Sequence, residues 1–151
     1  LKKHPSFNLW FEVKVFRDEK EAKQFAIDFP YETNPDLTLN EMLNLAKQKM
    51  PKRLTALCYN PAITPQVMKQ IIKQNFTEAW IALSKRLDLS ADIVLLLAKT
   101  DEEEVHYNIA DNPALPEIQM EKFAMSKNKS IISALLKNPA LPDYLKNQIK
   151  N

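Results

Sequence analysis

Apolar residues recur along this chain at an interval too long for one helix and too regular for a loop. The dipeptide Asn-Pro stands at Asn34-Pro35, Asn60-Pro61, Asn112-Pro113 and Asn138-Pro139, with spacings of 26, 52 and 26, so a unit without the dipeptide is expected at Arg86. Three residues beyond each start lie Leu37, Ile63, Leu89, Leu115 and Leu141, and eleven beyond lie Leu45, Ile71, Leu97, Phe123 and Ile149. One period kept over five units, with apolar residues at fixed offsets, is the mark of a stacked array.

Within each unit the pattern predicts two short helices. The first opens at the fourth offset with Thr38, Thr64 or Ser90, all good N-caps, or with Pro116 and Pro142, which suit a first helical position. Thr38-Leu39-Asn40-Glu41 has the spacing of a capping box. Met42, Leu45 and Ala46, with Met68, Ile71 and Ile72, Val94, Leu97 and Ala98, and Met120, Phe123 and Ala124, fall on one helical face. The second helix carries a stripe at offsets twenty, twenty-three and twenty-four: Leu54, Leu57 and Cys58; Trp80, Leu83 and Ser84; His106, Ile109 and Ala110; Ile132, Leu135 and Leu136. Helices shorter than about 12 residues are marginal alone, so stacking must supply their burial.

The chain has ten Pro and no Gly. Helix ends and tight turns therefore fall to Asn, Asp and Pro. The repeated pentapeptide Asn-Pro-Ala-Leu-Pro, at 112–116 and 138–142, is predicted to be a corner: Asn-Pro ends one helix in the manner of a C-terminal Gly, Leu enters the core, and the second Pro starts the next helix. Residues 34–151 form the array, with units starting near 34, 60, 86, 112 and 138. Residues 1–33 are expected to be a diverged N-terminal unit, with His4-Pro5 thirty residues before Asn34-Pro35 and Leu9, Phe11, Val13, Val15 and Phe16 as its apolar positions.

The run "VHYNIADNPALPEIQMEKFA", followed by "SIISALLKNPALPDYL", resembles the leucine-rich repeat variant, a HEAT-like helical module, from roughly Pro35 to Ile149. The resemblance implies an all-α fold in which an α-helix alternates with a short 3₁₀ or α-helix, wound into a right-handed solenoid. It implies no enzymatic activity and no particular ligand.

Composition narrows the function classes. A chain of 151 residues, 45% hydrophobic and 26% charged, can form one folded domain. Its 21 basic and 19 acidic residues leave a net charge of only +2, a weak pull on nucleic acid or anionic lipid. The longest aliphatic run, Ile93 to Ala98, is far below the ~20 residues of a membrane span. Leu1 in place of Met suggests a piece of a longer chain, and a single Cys58 excludes an intrachain disulfide and makes the cytoplasm the default compartment.

No Gly-rich phosphate loop can form, and two His with one Cys at scattered offsets make no metal set, so neither cofactor nor metal is expected. Cys58 lies on the buried stripe as a core thiol. His106 takes the place of Leu54, Trp80 and Ile132 and is read as a half-buried, hydrogen-bonded ring. A hydrolase built on it would need a carboxylate and a nucleophile beside it. Asp101 to Glu104 precede a second helix, where carboxylates favour the dipole.

Two surfaces remain. On the second helices, outside the core stripe, stand Thr55 and Tyr59, Ile81 and Lys85, Tyr107 and Asp111, and Ser133 and Lys137, pairs four apart on one face. Tyr59, Ile81, Lys85 and Tyr107 are the expected contact strip for a protein or peptide, Tyr being common at such sites. The other surface is a column of Lys47, Lys73 and Lys99, joined by Lys52 and Arg53, which suits a HEAT-like array holding phosphates. Against it, the connections between helices change sign, from Lys49 to Arg53, through Asp101 to Glu104, to Lys127 and Lys129, where a nucleic-acid groove needs an unbroken basic stripe. The expected function is a non-enzymatic protein- or peptide-binding scaffold, with nucleic-acid binding as the alternative.

Overall fold

The computed structural model describes residues 14–150. Ten α-helices account for most of them: α1 (Glu19–Asp28), α2 (Leu39–Lys47), α3 (Pro51–Leu57), α4 (Pro65–Lys73), α5 (Thr77–Ser84), α6 (Ala91–Ala98), α7 (Glu103–Ala110), α8 (Glu117–Ala124), α9 (Lys129–Leu136) and α10 (Asp143–Lys150). The fold is all-α, and the one β-type contact among the described residues is an antiparallel bridge between Phe16 and Arg86. First helices start at 39, 65, 91, 117 and 143 and second helices at 51, 77, 103 and 129, so the sequence period is also the period of the elements. All four second helices are α rather than 3₁₀.

Helices of one kind pack on their own kind. Along one side α2 meets α4, α4 meets α6 and α8 meets α10; along the other α3 meets α5, α5 meets α7 and α7 meets α9. Each pair α2·α3, α4·α5, α6·α7 and α8·α9 also packs internally. One continuous core results, and Leu37, Ile63, Leu89, Leu115 and Leu141 all enter it. The buried stripe is wider than expected. Val67, Ile93 and Gln119 on first helices, and Ala56, Ala82, Asn108 and Ala134 on second helices, are also buried. A helix with neighbours on both flanks buries more than the single face that amphipathic spacing reveals. For the same reason the second-helix stripe is rotated: Ala79, Val105 and Ile131 are buried, while Trp80, His106 and Ile132 one residue later are only half-buried.

Caps follow the sequence in the first two units and depart from it in the later ones. Thr38 and Glu41 close the capping box, Glu41 N–H donating to Thr38 Oγ1 at 3.1 Å and Thr38 N–H to Glu41 Oε1 at 2.8 Å. Thr64 accepts from Val67 N–H. Pro51 and Pro65 open α3 and α4, whereas Pro116 and Pro142 immediately precede α8 and α10 rather than being their first residues, and Ser90 precedes α6 without a side-chain cap bond.

The Asn-Pro corner works differently from a C-terminal Gly. Asn75, after α4, is the one described residue with positive φ, at 63°. The repeat asparagines instead use their side chains. Oδ1 of Asn34, Asn60, Asn112 and Asn138 accepts the N–H two residues on, an Asx turn that leads the chain into the following Leu or Ile. Nδ2 of Asn60 donates to the carbonyls of Glu32 and Asn34, and Nδ2 of Asn138 to those of Ala110 and Asn112, 28 and 26 residues earlier in both cases. The asparagine therefore ties its unit to the preceding one. Arg86 replaces it faithfully: its Nη1 donates at 2.8 Å to the carbonyls of Cys58 and Asn60, again 28 and 26 residues back.

At Asn75 the left-handed backbone itself is the requirement. Asn75→Ala is expected to cost about 1 kcal/mol, because alanine lacks the short polar side chain that lets Asn tolerate the left-handed region, and Asn75→Gly, which has no Cβ, to be neutral or stabilising. Urea unfolding of the two variants checks this, and equal loss in both would show that the amide rather than the backbone matters.

Candidate functional site: the second-helix face and its N-terminal strap

The chain's own N-terminal segment covers most of the second-helix face on which the contact strip is expected. Residues 15–17 run antiparallel to 85–87, Leu87 N–H donating to the Val15 carbonyl at 2.7 Å and Arg17 N–H to that of Lys85 at 3.3 Å. Asp18 then caps α1 by accepting from Glu21 N–H. α1 lies on the second-helix side through two of its side chains, Glu21 and Phe25. Glu21 Oε1 accepts from the Tyr59 hydroxyl and from Lys85 Nζ at 3.1 Å. Phe25 stacks on the Tyr59 ring, with centroids 4.4 Å apart at 11°, and Phe29 stacks behind Phe25. Upstream, Phe16 lies between Tyr59, 5.6 Å away, and the Arg86 guanidinium, 5.0 Å from its ring centre. Arg17 places its fork on both carboxylate oxygens of Asp111, at 3.1 and 3.2 Å, and on the Asn108 carbonyl.

This corrects part of the expected strip. Tyr59 is buried under Phe16 and Phe25, Ile81 packs half-buried against the core, and Lys85 is paired with Glu21. Tyr107 alone among the four stays open, at 46% exposure. It lines a cavity of about 160 Å³ with Asp111, Ser130, Ser133, Ala134 and Lys137. A larger open cleft, about 580 Å³, lies at the start of α1 among Arg17, Asp18, Glu19, Lys20, Lys85 and Asn108. Of the expected diverged unit, residues 14–33 contain a single helix, α1, while His4, Pro5, Leu9, Phe11 and Val13 lie outside the described residues.

The strap was missed because its docking residues share no period with the array. The signal was present nonetheless, as Arg17, Glu21 and Phe25 are spaced by four and match Asp111, Lys85 and Tyr59 in charge and shape. Burial first, then the bond to the Glu21 carboxylate, raises the Tyr59 hydroxyl well above the ordinary phenol value. The phenol is thus held as a donor.

The other candidates are placed as follows. Lys47, Lys73, Lys99 and Lys52 are exposed, and none of them makes an ion pair among the described residues; Arg53 is held by Glu32 and Gln48. The lysine column and Arg53 therefore do not form one set of free cations. Cys58 is fully buried, its Sγ facing the carbonyls of Leu54 and Ala79, and burial pushes the thiol up to about 12. His106 Nε2 donates to the Thr100 carbonyl at 2.6 Å, and the ring packs on Phe123. Trp80, at the same offset, also donates to a backbone carbonyl, that of Ile72 near the end of α4. Among the described residues no group of three His, Cys, Asp or Glu side chains is placed to hold a metal, and no helix is long and apolar enough to cross a membrane. No family model, curated protein or solved structure matches this chain.

Proposed function

We propose that the chain is a non-enzymatic scaffold, a right-handed helical-repeat solenoid of about five units whose second-helix face receives a peptide or protein segment. The observation that carries this reading is the seating of residues 15–25. A segment from outside the array is held there by backbone pairing, an aromatic stack and two ion pairs, the same interactions that fix a peptide on a receptor. A face that binds one segment in this way has the groups to bind another. Beyond the strap, among the described residues, Tyr107, Ser133 and Lys137 are exposed on the same face and offer a partner further contacts.

A pull-down at moderate and high salt, with nuclease controls, tests it with the wild-type chain and a Tyr107→Ala/Lys137→Glu variant. Both positions are exposed, so folding is expected to be unchanged. A protein partner retained by the wild type is expected to bind the variant about tenfold or more weakly, as for loss of a contact anchor. Recovery of nucleic acid alone, lost at high salt and indifferent to the variant, overturns the reading in favour of Lys47, Lys73, Lys99 and Lys52.

A further inference from the structure

Tyr59, Lys85, Asp111 and Lys137 are one repeat position seen in four successive units. Lys85, Asp111 and Lys137 cap α5, α7 and α9, and Tyr59 follows the cap of α3. The strap residues that meet the first three are Phe25, Glu21 and Arg17. Each step of 26 along the array is matched by a step of four backwards along the strap. We propose that this column reads a peptide one residue per unit, that its preferred ligand is an Arg-x3-Glu-x3-Phe segment, and that residues 17–25 are the copy supplied by the chain itself. An outside segment of the same pattern takes the same stations when the strap lifts. This inference rests on the peptide-binding reading above and deepens it.

The chemistry at each station sets the pattern. Asp111 offers both carboxylate oxygens to a planar fork, and the Asn108 carbonyl takes a third bond from the same guanidinium, an arrangement that Arg satisfies and Lys does not. Lys85 and the Tyr59 hydroxyl converge on one carboxylate oxygen. The Tyr59 ring presents a flat face that an aromatic fills. Spacing explains the shape of the ligand. Four residues of helix advance about 6 Å, whereas packed helices lie about 8–10 Å apart, so a purely helical ligand falls behind the array. The strap makes up part of the difference between Arg17 and Glu21, where it is extended at Asp18 and helical only from Glu19.

The strap is also the part of the structure best suited to lift. α1 contains no buried residue, and its ion pairs are partly exposed, whereas the helices beneath it carry residues fully removed from solvent. Local opening begins where buried contacts are fewest.

The test uses the full chain and a fluorescent peptide of residues 14–30 as probe, with binding read by anisotropy. In the wild type the tethered copy competes at high effective concentration. Arg17→Ala/Phe25→Ala in the full chain weakens that copy and is expected to improve peptide affinity at least tenfold. Adding Asp111→Arg to this variant is expected to abolish binding, and a peptide carrying Arg17→Glu to restore it. Equal affinity for wild type and variant, or no binding to a variant whose circular dichroism is native, overturns the inference. Should the double variant fail to fold, amide exchange on the wild type decides: strap amides exchanging as slowly as those of α5 and α7 overturn it, and faster exchange by tenfold or more supports it. A partner captured through Tyr107 and Lys137 while peptide 14–30 binds nothing would leave the scaffold reading intact and remove this one alone.

Discussion

Replacing Arg86 with alanine is expected to lower the unfolding free energy by about 3–5 kcal/mol, the range for breaking a buried charged network by removing one partner. Arg86 has 0% exposure. Its guanidinium holds the carbonyls of Cys58 and Asn60 through Nη1, the Asp88 carboxylate through Nε and Nη2, and the Phe16 ring against its face. Alanine would strand the buried Cys58 carbonyl, leave that of Asn60 with only the 3.4 Å bond from Ile63 N–H, and open a void at the middle of the array, where units on both sides depend on the joint. Arg86→Asn restores the residue that Asn60 and Asn138 show to be sufficient for the same pair of bonds, so it is expected to lose only about half as much, mainly the Asp88 and Phe16 contacts. Urea unfolding followed by circular dichroism measures both. If Asn is no better than Ala, the ties between units are not what holds Arg86 in place.

Arg86 also shows what could and could not be read beforehand. The period located position 86 as a unit start, and the Leu or Ile three residues on placed the corner in the core, because burial at fixed offsets is a property of sequence spacing. The side-chain ties across 26 and 28 residues were not legible, since they depend on which carbonyls the stack brings together. The same division holds for the candidate site. The face bearing Tyr59, Lys85, Tyr107, Asp111 and Lys137 followed from two offsets four residues apart. That Tyr59 and Lys85 are covered did not follow, because their cover comes from residues 16–25, which share no register with the array. Arg86 lies where the two systems meet: it is a unit tie on one side and the seat for Phe16 on the other, which accounts for an arginine where asparagine would serve the array alone.

Raising the pH should weaken the fold from about pH 9 upward, and adjacent residues Cys58 and Tyr59 define how. The thiol ionises near 9.0 when unfolded and near 12 when buried under α5, so between these values the unfolded chain has lost a proton that the folded chain keeps. The unfolded state then binds fewer protons, and stability falls by about 1.4 kcal/mol per pH unit, roughly 3 kcal/mol by pH 11. Tyr59 adds to the slope above its ordinary value of 10.0, since its folded hydroxyl is held protonated by burial and by the Glu21 carboxylate. The two contributions separate by mutation. Cys58→Ala is expected to flatten the stability profile between pH 9 and 10, whereas Tyr59→Phe, which keeps the ring under Phe25, leaves that window unchanged and reduces the slope above it. Urea midpoints measured from pH 8 to 11 for all three chains provide the readout. A Cys58→Ala profile parallel to wild type from pH 9 would mean that the thiol reaches solvent without unfolding, and the packing of α3 against α5 would then be looser than its buried contacts imply.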